Sequence, residues 1–77
     1  MTNQILEKIN ANDEEHILNK WLVKENDSVK ISQPIAEIET SKAAVEILAN
    51  FNGKIIFLIN EGSNVKIGEV ICKIVPS

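Results

Sequence analysis

The chain has 77 residues, a formal net charge of −3 and 44% hydrophobic residues. A chain of this length builds one core, so we expect a single domain over residues 1–77. The sequence has no basic cluster, no apolar run of transmembrane length and no secretory signal pattern, so we expect no binding to nucleic acid or membranes. Its one cysteine, Cys72, cannot form an internal disulfide, which is typical of a reducing compartment.

The first predicted element is an edge strand at 4–9 that leads into a polar loop, since a helix this short would be marginal on its own. An internal repeat follows, in which residues 21–39 align without a gap on residues 57–75 and seven of the nineteen pairs are identical. Each copy has the pattern of a strand, a turn, a short strand and a further strand. We therefore predict two halves of one β domain, related by an approximate two-fold axis. A loop at 50–53 and a strand at 54–59 lead into the second half.

The first turn of each copy contains a residue that tolerates a positive φ angle. Asn26 aligns with Gly62, and asparagine and glycine are the residues that most readily enter the left-handed region. We therefore predict equivalent turns at 24–27 and 60–63, with left-handed backbone at Asn26 and Gly62.

The stretch EIETSKAAVEI, residues 37–47, has the pattern of two antiparallel strands around a tight polar turn. The inward-facing set is predicted to be Ala36, Ile38, Ala43, Val45 and Ile47. The side chains of Glu39 and Glu46 are predicted to point outward near the turn, and that of Glu37 to point outward further along the strand. Lys42 lies in the turn itself. The pattern as a whole predicts two small antiparallel sheets packed face to face.

Three single residues receive ordinary structural interpretations. His16 has no neighbouring nucleophile or metal-ligand cluster, so we predict a strand-surface residue. Cys72 aligns with Ala36 between apolar neighbours, which predicts a small buried residue, and Trp21 is predicted to pack at the head of its repeat copy. The sequence contains no zinc-ligand spacing, phosphate loop or hydrolase triad, so we predict no catalytic or metal-binding residue.

The residues around Lys42 closely resemble the lipoyl domains of 2-oxoacid dehydrogenase complexes, over about residues 15–75. The matching stretches are EIETSKAAVEILANFNGKI and INEGSNVKIGEVICKI. In that family a Glu-Thr-Asp-Lys-Ala motif carries lipoic acid on its lysine, so the resemblance implies lipoic acid attached to Lys42 as a covalent amide. It also implies an all-β fold: a flattened β-barrel or sandwich of two small antiparallel sheets with quasi-two-fold symmetry.

The resemblance further implies that residues near the lysine are recognised by partner enzymes. These recognition residues are Glu39, Thr40, Ser41, Ala43, Glu46, Gly53 and Asn26. Ser41 replaces the aspartate of the family motif, and Asn26 replaces a glycine found sixteen positions before the lysine. Gly53 matches the family glycine eleven positions after it.

The function implied by the resemblance is that of a non-catalytic carrier. The modified lysine would act as a swinging arm for acyl groups and reducing equivalents. Its partners would be a thiamine-dependent 2-oxoacid decarboxylase, an acyltransferase core, dihydrolipoyl dehydrogenase, and a lipoate ligase or octanoyl/lipoyl transferase. The expected compartment is the bacterial cytoplasm, or the mitochondrial matrix in a eukaryote.

Two other functional interpretations stay open, and the sequence also leaves open whether the domain is a protein of its own. One is a biotinyl carrier of carboxyl groups, although biotinyl domains resemble Met-Lys-Met at this turn and Ser41 and Ala43 flank Lys42 here. The other is an unmodified β-sandwich that only binds proteins. The domain could be a freestanding carrier or part of an acyltransferase chain.

Overall fold

The structure, a computed structural model, describes the backbone of residues 2–5 and the whole of residues 16–41 and 43–76. Its strands are β1 (Thr2–Ile5), β2 (His16–Trp21), β3 (Ser28–Val29), β4 (Pro34–Thr40), β5 (Ala44–Leu48), β6 (Gly53–Phe57), β7 (Asn64–Val65) and β8 (Val70–Val75). They form two four-stranded antiparallel sheets, in the orders β1-β8-β6-β3 and β5-β4-β2-β7. The described residues contain no helix, and the sheets form a flattened sandwich that does not close into a barrel. The all-β prediction is confirmed.

The predicted two-fold relation is visible in the strand pairing. β4 pairs with β5 in the same way that β8 pairs with β1, so the first strand of the chain occupies the place that β5 has in the other half. The backbone bonds repeat as well: Leu22 N–H donates to Ile35 O at 2.9 Å, and 36 residues later Leu58 N–H donates to Ile71 O at 3.1 Å. The repeat in the sequence is therefore a repeat in structure.

The buried core follows the same symmetry and draws on both sheets. Its members include four repeat-related pairs, namely Val29 with Val65, Ile35 with Ile71, Ala36 with Cys72, and Ile38 with Ile74. A register shift in each half falls at Ile35 or Ile71, and this bulge allows two consecutive residues to face the core. The prediction for Cys72 is confirmed, and burial raises the pKa of its thiol to about 11.

Two aromatic side chains and two carboxylates join the halves. The rings of Trp21 and Phe57 are stacked with their centroids 4.0 Å apart. The backbone N–H of Trp21 donates to the carboxylate of Glu61 at 2.8 Å, and the backbone N–H of Phe57 donates to the carboxylate of Glu25 at 3.2 Å. Each half thus supplies the acceptor for the other half's strand end, and the packing role predicted for Trp21 is confirmed.

The left-handed turns are confirmed, and a second pair accompanies them. Asn26 has a φ of 73° and Gly62 a φ of 86°. Ser32 and Gly68, also 36 residues apart, have φ values of 72° and 90°. Ser32 was not expected there, because serine has no strong preference for the left-handed region.

We expect substitutions at Asn26 to depend on backbone strain. Asn26→Gly should change the free energy of unfolding by less than about 1 kcal/mol, because relief at positive φ is opposed by a freer unfolded chain. Asn26→Val should destabilise by about 1–2 kcal/mol, because a β-branched residue fits the left-handed region poorly. Urea denaturation measures both, with Asn64→Val as a control on an exposed strand residue. Equal midpoints for the glycine and valine variants at position 26 would contradict the assignment of the destabilisation to backbone strain at positive φ.

Three details of the sequence-based prediction are wrong. His16 is only 2% exposed, because it lies two residues before the fully buried Leu18 on β2 and shares the face of the strand that is turned toward the core. Ala43 is exposed, because it lies in the turn before β5 begins. The strand predicted at 54–59 ends at Phe57, whose N–H is bonded to a side chain.

The predicted edge strand at 4–9 is confirmed in part. The strand is Thr2–Ile5, and among the described strands it lies at the edge of its sheet, where it pairs with β8. Positions 6–9 lie outside the described residues.

Candidate functional site

The hairpin of β4 and β5 brings most of the predicted recognition residues together. Its last cross-strand pair is Glu39 with Ala44, and the connection between the strands is residues 41–43. β4 also pairs with β2, so the hairpin is joined to the rest of its sheet along the β4 side. Lys42 lies outside the described residues, between Ser41 and Ala43 in the sequence. Both of these neighbours are exposed.

Three hydrogen bonds close the turn between Thr40 and Ala43. Thr40 N–H donates to Ala43 O at 2.8 Å, as in an ordinary hairpin. The Thr40 hydroxyl donates to the same carbonyl at 2.9 Å, and it accepts from Ala43 N–H at 3.1 Å. One side chain therefore engages both backbone polar groups of the residue that follows Lys42.

The outer face of the hairpin is acidic. Glu39 and Glu46 are exposed, as predicted, and Glu46 lies directly opposite Glu37. Like charges at directly opposed positions repel each other. Glu37 is partly compensated from β2, because Lys20 Nζ lies 3.8 Å from its carboxylate and Asn19 Nδ2 donates to it at 3.1 Å.

Asn26 and Gly53 make their contacts elsewhere in the fold. Asn26 N–H donates to Ile55 O at 2.9 Å, which ties the first turn to β6. Gly53 pairs with Val29 and has backbone of Val75 beside it. The structure therefore accounts for both residues through backbone geometry, and the recognition role stays a prediction for them.

Sequence reasoning missed the partners of Glu37 and the bonds of the Thr40 hydroxyl. Asn19 and Lys20 are polar neighbours in β2, and only the register of β2 against β4 reveals which carboxylate they meet. A threonine before a short polar turn was a usable signal for Thr40, since its hydroxyl commonly bonds nearby backbone groups.

No cluster of metal-binding side chains occurs among the described residues. Over the same ranges, no helix is long and apolar enough to cross a membrane. The buried His16 has no hydrogen-bond partner for Nε2 in the described part of the chain. The sequence motif points to the end of the hairpin, where the described Ser41 and Ala43 are exposed.

Comparisons with known proteins agree with this geometry. The biotin/lipoyl family, described as biotin-requiring enzyme, matches residues 8–74. The lipoamide acyltransferase component of the branched-chain alpha-keto acid dehydrogenase complex of Bacillus subtilis is 43% identical over 61 residues, covering 78% of this chain and 14% of the relative. The corresponding mitochondrial component of Arabidopsis thaliana is 40% identical over 56 residues, covering 71% of this chain and 12% of the relative. The chain thus spans less than a sixth of either acyltransferase.

A solved structure covers almost the whole chain. The lipoyl domain of the 2-oxoglutarate dehydrogenase complex from Azotobacter vinelandii superposes with a TM-score of 0.70 at 32% identity, covering 94% of this chain and 96% of that domain. The similarity of both sequence and fold identifies the type of domain. The chain belongs to the biotin/lipoyl family and is a lipoyl domain of the kind found in 2-oxoacid dehydrogenase acyltransferases.

Proposed function

We propose that residues 1–77 form one non-catalytic carrier domain whose Lys42 is lipoylated. The arm so formed carries acyl groups and reducing equivalents between components of a 2-oxoacid dehydrogenase-type complex. The observation that carries the proposal is the hairpin: two paired strands present the exposed Ser41 and Ala43 on either side of Lys42, within the Glu-Thr-Ser-Lys-Ala motif.

The residues of the hairpin fit a covalently tethered group. A tethered arm needs an amine on an exposed and well-supported turn, because it is handled first by a modifying enzyme and later by other active sites. The strand pairs below the turn and the three bonds between Thr40 and Ala43 supply that support. The exposed Ser41 and Ala43 leave room for an enzyme to approach.

The chemistry belongs to the cofactor, and the protein supplies position and identity. A lipoyl group provides a cyclic disulfide that can accept an acyl group together with two electrons. The chain's own residues support the hairpin on either side of the attachment point, through the strand pairs and the bonds between Thr40 and Ala43. Glu39 and Glu46 add negative charge beside it, and such rim charges mainly steer encounters and select partners.

The relatives' names support the proposed partners in so far as they place similar domains in 2-oxoacid dehydrogenase complexes. Those names include branched-chain alpha-keto acid and 2-oxoglutarate dehydrogenase complexes. We therefore propose a thiamine-dependent decarboxylase, an acyltransferase core and dihydrolipoyl dehydrogenase as partners, and a lipoate ligase or octanoyl/lipoyl transferase as the modifying enzyme. The relatives are bacterial or mitochondrial, which supports the bacterial cytoplasm or the mitochondrial matrix as the compartment.

Intact mass spectrometry tests the proposal. The unmodified chain is incubated with a lipoate ligase, ATP and lipoic acid, and separately with a biotin ligase, ATP and biotin. The Azotobacter vinelandii lipoyl domain serves as a positive control. We expect one lipoyl group per chain in the first reaction and no change in the second. A biotin adduct alone would identify a biotinyl carrier. An unchanged mass in both reactions would contradict both carrier functions and favour an unmodified interaction module.

A further inference from the structure

The turn between Thr40 and Ala43 departs from an ordinary hairpin in one respect. In a regular two-residue hairpin, the closing residues exchange two backbone hydrogen bonds. Here Ala43 N–H donates to the hydroxyl oxygen of Thr40, at 3.1 Å. The same hydroxyl donates to Ala43 O at 2.9 Å, alongside the backbone bond from Thr40 N–H at 2.8 Å. A side chain is therefore part of the ladder at this position.

These bonds act on the residue covalently joined to Lys42. Ala43 directly follows Lys42, and its N–H and C=O are both bonded to the Thr40 side chain. Threonine is β-branched and restricted at χ1, so holding its hydroxyl in place costs little side-chain entropy. The side chain of Ala43 is exposed, so its packing adds little that could hold Ala43 in place if these bonds are lost.

We propose that Thr40 is a positioning residue for the modification of Lys42, and that it acts through Ala43. Its hydroxyl keeps the turn in the conformation that the modifying enzyme binds. An enzyme that binds an already ordered turn does not have to order it on binding. If only a fraction of the molecules has the ordered turn, the apparent affinity of the enzyme is reduced in proportion to that fraction. This inference rests on the proposed lipoylation of Lys42, and it adds a role for a residue that does not carry the reacting amine.

The test compares Thr40→Val with Thr40→Ser. Valine keeps the branched shape and loses the hydroxyl, whereas serine keeps the hydroxyl. Lipoylation of each unmodified chain by a lipoate ligase is followed by mass spectrometry to obtain kcat and KM. We expect Thr40→Val to raise KM by about tenfold, the factor that corresponds to one or two modest hydrogen bonds, with kcat nearly unchanged. Thr40→Ser should stay within about threefold of the parent chain, because it keeps both bonds.

A second measurement needs no ligase. Amide hydrogen exchange, followed by NMR, reports the bond from Ala43 N–H directly. We expect exchange at Ala43 to accelerate in Thr40→Val by a factor similar to the rise in KM, and to be nearly unchanged in Thr40→Ser. Exchange at the buried Ile38 and Ile74 serves as the control, because general destabilisation would accelerate it too.

Each failure points to a different conclusion. If the parent chain is not modified, the proposed function fails and this inference fails with it. If the parent is modified and Thr40→Val has the same KM, the positioning role alone is wrong. If KM rises while exchange at Ala43 is unchanged, Thr40 contacts the enzyme directly, which also overturns the inference. A rise in KM that serine does not reverse contradicts a role for the hydroxyl.

Discussion

Lys42→Arg is expected to abolish lipoylation completely, with no transfer of the modification to another lysine. Arginine keeps the positive charge, but its guanidinium stays protonated and does not act as the amine nucleophile that the amide requires. The chain has eight lysines and no arginine, so the variant leaves seven candidate amines. Intact mass after reaction with a lipoate ligase should therefore be unchanged, whereas the parent chain should gain one lipoyl group.

Exposure beside a turn does not by itself mark a lysine for lipoylation. Lys24, Lys30 and Lys66 are exposed beside turns, and Lys30 and Lys66 occupy equivalent places in the repeat. Lys66→Arg is accordingly the matched control, and it should be modified as fully as the parent. Peptide mapping of the modified parent should locate the group on Lys42. A lipoylated Lys42→Arg chain, or a Lys66→Arg chain that fails to react, would contradict the assignment.

Gly53→Ala is expected to lower the free energy of unfolding by about 2–3 kcal/mol, as overpacking of a tight site does. A Cβ at this position would collide with the carbonyl oxygen of Val75 and lie 2.7 Å from its carbonyl carbon. Both of those atoms are backbone, so the collision cannot be relieved by a side-chain rotation. For a 77-residue chain the whole stability is about 4–12 kcal/mol, so the loss would be a large part of it.

Gly62→Ala is the control for this prediction. Gly62 also has a positive φ, 86°, but a Cβ there would meet nothing within 4 Å, so it carries backbone strain without the collision. We expect its midpoint in urea denaturation to fall by clearly less than that of Gly53→Ala. Similar midpoints would mean that the contact with Val75 is easily relieved. Lipoylation of folded Gly53→Ala should proceed normally if Gly53 acts only through the fold, and a loss would support its recognition role.

Prediction from sequence succeeded where neighbours along the chain decide the structure. The left-handed turns at Asn26 and Gly62 were predictable because positive φ is a local preference of asparagine and glycine. The repeat at an offset of 36 predicted the two-fold relation, because two halves with the same apolar pattern bury the same faces. The outward positions of Glu39 and Glu46 followed from alternation along single strands.

Prediction failed where residues far apart in the chain decide the environment. His16 shares a strand face with Leu18, and only the packing of the two sheets shows that this face is buried. The burial of both Ile35 and Ala36 comes from a bulge, which breaks the period of two on which the sequence argument relied. Ala43 was assigned to the inward set by the same period, although the turn interrupts it.

The sequence by itself determined the β class, the symmetry, the left-handed turns and the motif around Lys42, since each depends on residue preferences within a few positions or on an internal repeat. Only the tertiary structure decided which groups meet: the carboxylates of Glu25 and Glu61 with the strand ends of the opposite halves, and the Thr40 hydroxyl with both backbone groups of Ala43. The reason is geometric, because a hydrogen bond requires two atoms at a definite distance and angle. Strand register and turn conformation set those positions, and residue type alone does not.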